Sequence, residues 1–109
     1  MALIQKKISL TNIGDMSSNI FEGTEYEFLP QQAKVTVSAI GKNGDATMRW
    51  TVGSVLLVDD ANFKKGADYP IIPDNILDSE NVPGGQRMVL TFTAKTASDE
   101  IYVRVDIDF

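Results

Sequence analysis

The sequence predicts an all-β protein, an antiparallel β-sandwich or jelly roll of six to eight strands, and three observations carry that reading. Residues 86 to 109 form two runs in which apolar and polar side chains alternate. Similar alternation recurs in three earlier runs, and an Asn-Gly pair stands between two of them. Period-two alternation gives one dry face and one wet face, as in an antiparallel sheet packed on a single core.

The first run is Leu3 to Asn12, with Ile4, Ile8 and Leu10 in one phase and Gln5, Lys7, Ser9 and Thr11 in the other. Lys6 falls on the apolar phase. An inward lysine blunts an edge strand, so this run is expected at the rim of a sheet or as a frayed strand start. After a loop at Ile13 to Ser18, Ile20 to Leu29 is expected to be strand-like, with Gly23 marking a bulge or break. Lys34 to Ile40 turns Val35, Val37 and Ala39 inward, and Gly41 to Asp45 follows with the Asn43-Gly44 pair. Flanked by alternating runs, that pair predicts a hairpin. Next, Met48, Trp50 and Val52 share a phase, and Trp50 is expected as a core anchor. Gly53-Ser54 interrupts the run. Val55 to Val58 is apolar on both phases, which predicts a strand buried on both faces.

Asp59 to Gly85 is expected to be one long loop, because it holds three of the four prolines and no sustained alternation. Connections of this length are uncommon in a compact domain unless they carry a role. Tyr69 to Pro73 should be extended, and Asp74 to Glu80 could form one helical turn. Three readings stand for the segment. In the first, Phe63, Ile71, Ile72, Ile76 and Leu77 cover an open end of the sandwich. In the second, the loop contacts another subunit or a host molecule. In the third, Asp59, Asp60, Asn62, Asp74 and Asp78 offer hard oxygen ligands to calcium, although Lys64 and the late Gly66 break the EF-hand pattern. The closing strands then place Met88, Leu90, Phe92 and Ala94 inward, followed by Ile101, Val103, Val105, Ile107 and Phe109.

The 109 residues suit one domain, residues 1 to 109, able to bury about 60 to 65% of its unfolded surface. There is no cysteine and no histidine, which removes disulfides, thiolate chemistry, the usual general base and the commonest transition-metal ligand. A charge of −5 is the wrong sign for a phosphate-tracking groove, so nucleic acid is not an expected partner. No stretch near the N-terminus is apolar enough for a signal peptide or membrane insertion, and the chain is expected to assemble in the cytoplasm where it is made. No Gly-x-Ser-x-Gly, Ser-x-x-Lys or phosphate-cradling glycine loop is present, and the acids fall largely on wet strand faces, so the chain reads as non-enzymatic with no resident cofactor.

In size, strand pattern and long loop, the whole chain resembles the small β-sandwich structural proteins of phage and virus particles. That resemblance implies a virion subunit, of the capsid, its decoration or a spike base, acting as a homo-oligomer or with other structural subunits. Contacts are then expected from the first strand, including Lys6, and from the loop residues Phe63 and Tyr69, with Tyr102 on the wet face. The alternative is a carbohydrate-binding sandwich module, with Phe63, Tyr69 and Tyr102 as the stacking platform.

Overall fold

A computed structural model describes residues 2–70 and 76–109, and these fold as two β-sheets with eight strands and no helix. The first strand, β1 (Ala2–Leu10), is followed by β2 (Ala33–Gly41), β3 (Thr47–Val52), β4 (Val55–Asn62), β5 (Lys64–Lys65), β6 (Ile76–Val82), β7 (Met88–Thr93) and β8 (Asp99–Asp108). One sheet runs β1-β8-β2, with β6 and the short β5 both on the far side of β2; the other runs β4-β3-β7. All pairings are antiparallel except β2 with β5. The two layers form the expected sandwich.

Alternation places the core where the sequence puts it. Val35 and Val37 on β2, Met48 and Trp50 on β3, Leu90 and Phe92 on β7, and Ile101, Val103, Val105 and Ile107 on β8 are fully buried in one cluster joining both sheets. Hydrophobic burial on facing pleats holds the layers together. Strand β1 is at the rim as expected, paired with β8 alone.

Five expectations are corrected. The Asn43-Gly44 turn does not close a hairpin: β2 and β3 lie in different sheets, and Gly44, at φ +73°, turns the chain across the core. The alternating runs on either side face each other through their dry sides rather than sharing a ladder. The real hairpin is the two-residue turn Gly53-Ser54 between β3 and β4, where Val52 pairs with Val55. Its glycine has φ +58°, the positive value that a first-position residue needs in a type II′ turn.

Second, Ile20 to Leu29 is a series of turns, with only Phe28 forming an isolated bridge to Arg87. Its neighbours bond to one another locally, as in Glu22 N to Asn19 O (3.0 Å) and Thr24 N to Phe21 O (3.0 Å). Third, the apolar run Val55 to Val58 is not doubly buried but forms much of an edge strand, with Val55 57% and Leu56 45% exposed.

Fourth, residues 59–85 are not one open loop. They contain the end of β4, β5 and all of β6, so the expected turn of helix over Asp74 to Glu80 gives way to strand from Ile76 onward. The inward phase of β6 reads Asp78, Glu80, Val82, opposite Val37, Val35 and Ala33. Acids on the phase that elsewhere is apolar hide the alternation. Asp74, Ile71, Ile72 and the Pro73 end of the extended stretch lie outside the described residues. Fifth, Phe109 continues the dry phase in sequence but is 44% exposed, because the ladder ends at Asp108 and its ring rests 6.2 Å from that of Tyr26.

Candidate interaction surface

Sheet ends decide what a sandwich can bind, because an end strand presents unpaired N–H and C=O groups. This molecule finishes its ends in different ways. The outer side of β7 is sealed by residues 14–28, which carry almost no strand structure. Ile20 N donates to Leu90 O (2.9 Å), Ser17 N to Phe92 O (2.8 Å), Gly14 N to Ala94 O (2.8 Å) and Met88 N to Glu27 O (2.7 Å). Side chains complete the ladder. Asn19, nearly buried, accepts from Leu90 N (3.0 Å) through Oδ1 and donates from Nδ2 to Met88 O (3.0 Å), while Ser17 Oγ accepts from Phe92 N (2.9 Å). Sequence reasoning passed over Ser17 as a loop residue and Asn19 as the residue between that loop and the next run. Their two-residue spacing matches the repeat of the β7 amides they satisfy, and that was the available signal.

Charge blunts three further ends. On β1, Lys6 lies on the dry phase and its Nζ turns out to donate to Ile20 O (3.0 Å), the carbonyl of the segment that covers β7. Lys7, on the wet phase, sits 3.6 Å from Glu100 and 5.7 Å from the Tyr102 ring centroid. The β5 end is Lys64-Lys65, both exposed. On β6, Asp78 and Glu80 are two residues apart on the inward phase, and Asp78 foremost, then desolvation, raises the Glu80 carboxyl above its ordinary value. Inward charges of this kind disfavour pairing with a neighbouring chain.

The β4 end differs. Val55 to Val58 carries no charge, and only Asp59 and Asp60 at its far half do. The β3–β4 register shifts at Leu57 and again near Asp60, which has φ +53°, so regular pairing holds at the Val55–Leu56 end and β4 is bulged beyond it. Behind this edge the two sheets diverge into a cleft of about 380 Å³, lined by Val52, Val55 and Leu57 from one sheet and Asn81, Val82 and Pro83 beside the other. An apolar edge beside an apolar-lined cleft is the kind of surface that strand addition and apolar contact use.

The sequence-selected residues fall in separate places. Phe63 is buried, its ring edge-on to Phe92 at 5.7 Å, which removes it from the expected contact and stacking residues; it covers the core, whereas Ile76 of the same expected cover is exposed. A Cβ at Gly41 would stand 2.7 Å from that ring, so this glycine admits Phe63. Tyr69 and Tyr102 do come together, with centroids at 5.3 Å and planes at 84°, on the outer face of the larger sheet. The calcium candidates do not converge: Asp59, Asp60 and Asn62 belong to β4, Asp78 to β6 in the other sheet, and Asp74 lies outside the described residues. Asp59 instead stands 4.0 Å from Arg49. Among the described residues, no group of three or more acidic, His or Cys side chains is placed to hold a metal ion.

No protein-family model matches the chain, and no curated protein or solved structure matches it significantly.

Proposed function

We propose that the chain is a non-enzymatic structural subunit that works through repeated contacts with copies of itself or with other structural subunits, in the manner of a capsid, decoration or spike-base protein of a virion. The observation that supports this reading is the unequal finish of the sheet ends. A segment of fifteen residues, 14–28, together with Asn19 and Ser17, closes β7, whereas the apolar half of β4 is left with Val55 and Leu56 exposed. Exposed apolar strand edges are aggregation hazards in a monomer, and an ordered partner removes the hazard. The carbohydrate alternative rests on Tyr69 and Tyr102, but rings held edge to face offer a sugar no shared flat platform.

Light scattering coupled to size exclusion tests the proposal. A subunit of this kind is expected to elute at a multiple of 12.0 kDa that grows with loading concentration, with or without chelator. A 12.0 kDa species throughout, with tyrosine fluorescence that responds to polysaccharide, would return the sugar-binding reading.

A further inference from the structure

The β1 end, which exposes Leu3, and the β4 end, which exposes Val55 and Leu56, lie on opposite flanks of the molecule. Lys6 of β1 bonds to Ile20, and Ile20 bonds to Leu90 of β7, so the β1 and β7 ends stack on one flank. The β4 end stacks with β6 on the other, across the cleft between Val55 and Val82. Such an arrangement admits a contact between unlike ends, which repeats from copy to copy.

Resting on the reading of the chain as a self-assembling subunit, we propose that copies join head to tail, with Ala2 to Lys7 of β1 in one copy lying parallel beside Val55 to Asp60 of β4 in the next. Placed in that register, Ala2, Leu3 and Ile4 run alongside Val55, Leu56 and Leu57, and Lys6-Lys7 alongside Asp59-Asp60. Leu3 is 53% exposed, and Leu56 lies opposite it. Three apolar residues meet three and two cations meet two anions, with Gln5 beside Val58, so five of the six positions are complementary.

Over their full lengths, pairings between like ends lack this match, and Val55–Val58 set antiparallel on itself aligns apolar residues but gives Asp59 and Asp60 no cation. Antiparallel β1 against β1 over its full length sets Lys6 opposite Lys6, and β4 against β4 sets Leu57 and Val58 opposite Asp60 and Asp59. An antiparallel β1–β4 register can also align the charges, but it places Ser9 beside Leu57 and leaves the exposed Leu3 without a neighbour. The lysines and aspartates thus act against the wrong pairings as well as for the right one. The pair between Asp59 and Arg49, 4.0 Å apart and exposed on both sides, competes only weakly. A heterologous contact of this kind closes into a ring or extends as a filament.

Two charge variants test the interface. One carries Lys6→Glu and Lys7→Gln; the other carries Asp59→Lys and Asp60→Asn, asparagine being chosen because it tolerates the φ of +53° at that position. Each variant alone presents like charges at both ends and is expected to sediment at 12.0 kDa. Mixed in equal amounts, they are expected to recover the mass of the wild-type assembly, since each β1 then finds a β4 of opposite sign. Leu3→Glu, at an exposed position that needs no repacking, is a third variant expected to be monomeric with an unchanged circular dichroism spectrum. If wild-type assembles while the variants assemble equally well, or while their mixture stays monomeric, the β1–β4 contact is wrong and the subunit reading survives. A wild-type chain that remains monomeric at every concentration overturns both the contact and the self-assembly it rests on.

Discussion

Asn19 shows how one side chain can stand in for a strand. Its amide supplies an acceptor to Leu90 N and a donor to Met88 O, and its Oδ1 also accepts from Phe21 N (3.2 Å). Alanine at this position would leave a buried donor and a buried acceptor on β7 without partners. The expected loss is about 2 to 3 kcal/mol in urea unfolding, because the desolvation of each unmet group is not returned. Aspartate would keep the acceptor and lose the donor, and is expected to fall between. Asp99 plays a related part at the start of β8: 1% exposed, its Oδ1 accepts from Asn43 N (3.3 Å) and Glu100 N (2.9 Å), which ties the turn between sheets to the last strand.

At the scale of elements, β6 carries a built-in pH dependence. Glu80 has a raised pKa in the folded protein because Asp78 repels its charged form, and burial adds to the effect. A carboxyl whose folded pKa is raised is best tolerated when protonated, so its contribution to stability is full in acid and is lost as pH rises through the folded value. Glu80→Gln mimics the protonated form. Thermal unfolding is therefore expected to show the variant and wild-type equal in acid, with the variant gaining as pH rises toward neutrality. A constant difference across that range would contradict the raised Glu80 pKa.

The same strand marks the boundary of what could be read from the chain. Strands β1, β2, β3, β7 and β8 were legible because Ile8, Val35, Met48, Leu90, Ile101 and their neighbours alternate against a shared core, with Lys6 and Val89 the breaks in β1 and β7. Strand β6 was not, because Asp78 and Glu80 occupy its inward phase and neighbouring prolines read as loop. The Asn43-Gly44 turn was located correctly but its meaning was not: a short connection between two alternating runs joins either neighbours in one sheet or partners across the core, and only the positions of β8 and β7 distinguish the two. Exposure of Val55 to Val58 was equally hidden, since an apolar run looks the same whether it is covered by its own chain or by another. For the interaction surface, Lys6 was legible as an edge lysine, and the role of Asp59-Asp60 beside an apolar edge became visible only with the sheet order.

For the whole molecule, 38 × 26 × 21 Å across, the sheet ends form a hierarchy. Strand β7 is sealed by backbone and side-chain hydrogen bonds, β5 and β6 are blunted by charge, β1 carries lysines, and β4 keeps an uncharged apolar half. Amide hydrogen exchange followed by mass spectrometry, as a function of protein concentration, tests this hierarchy most directly. Peptides covering Val55 to Val58 are expected to exchange quickly in dilute solution and to become protected as concentration rises, while peptides covering Met88 to Thr93 stay protected throughout. Exchange at Val55 to Val58 that is slow in dilute solution, or indifferent to concentration, would contradict the account.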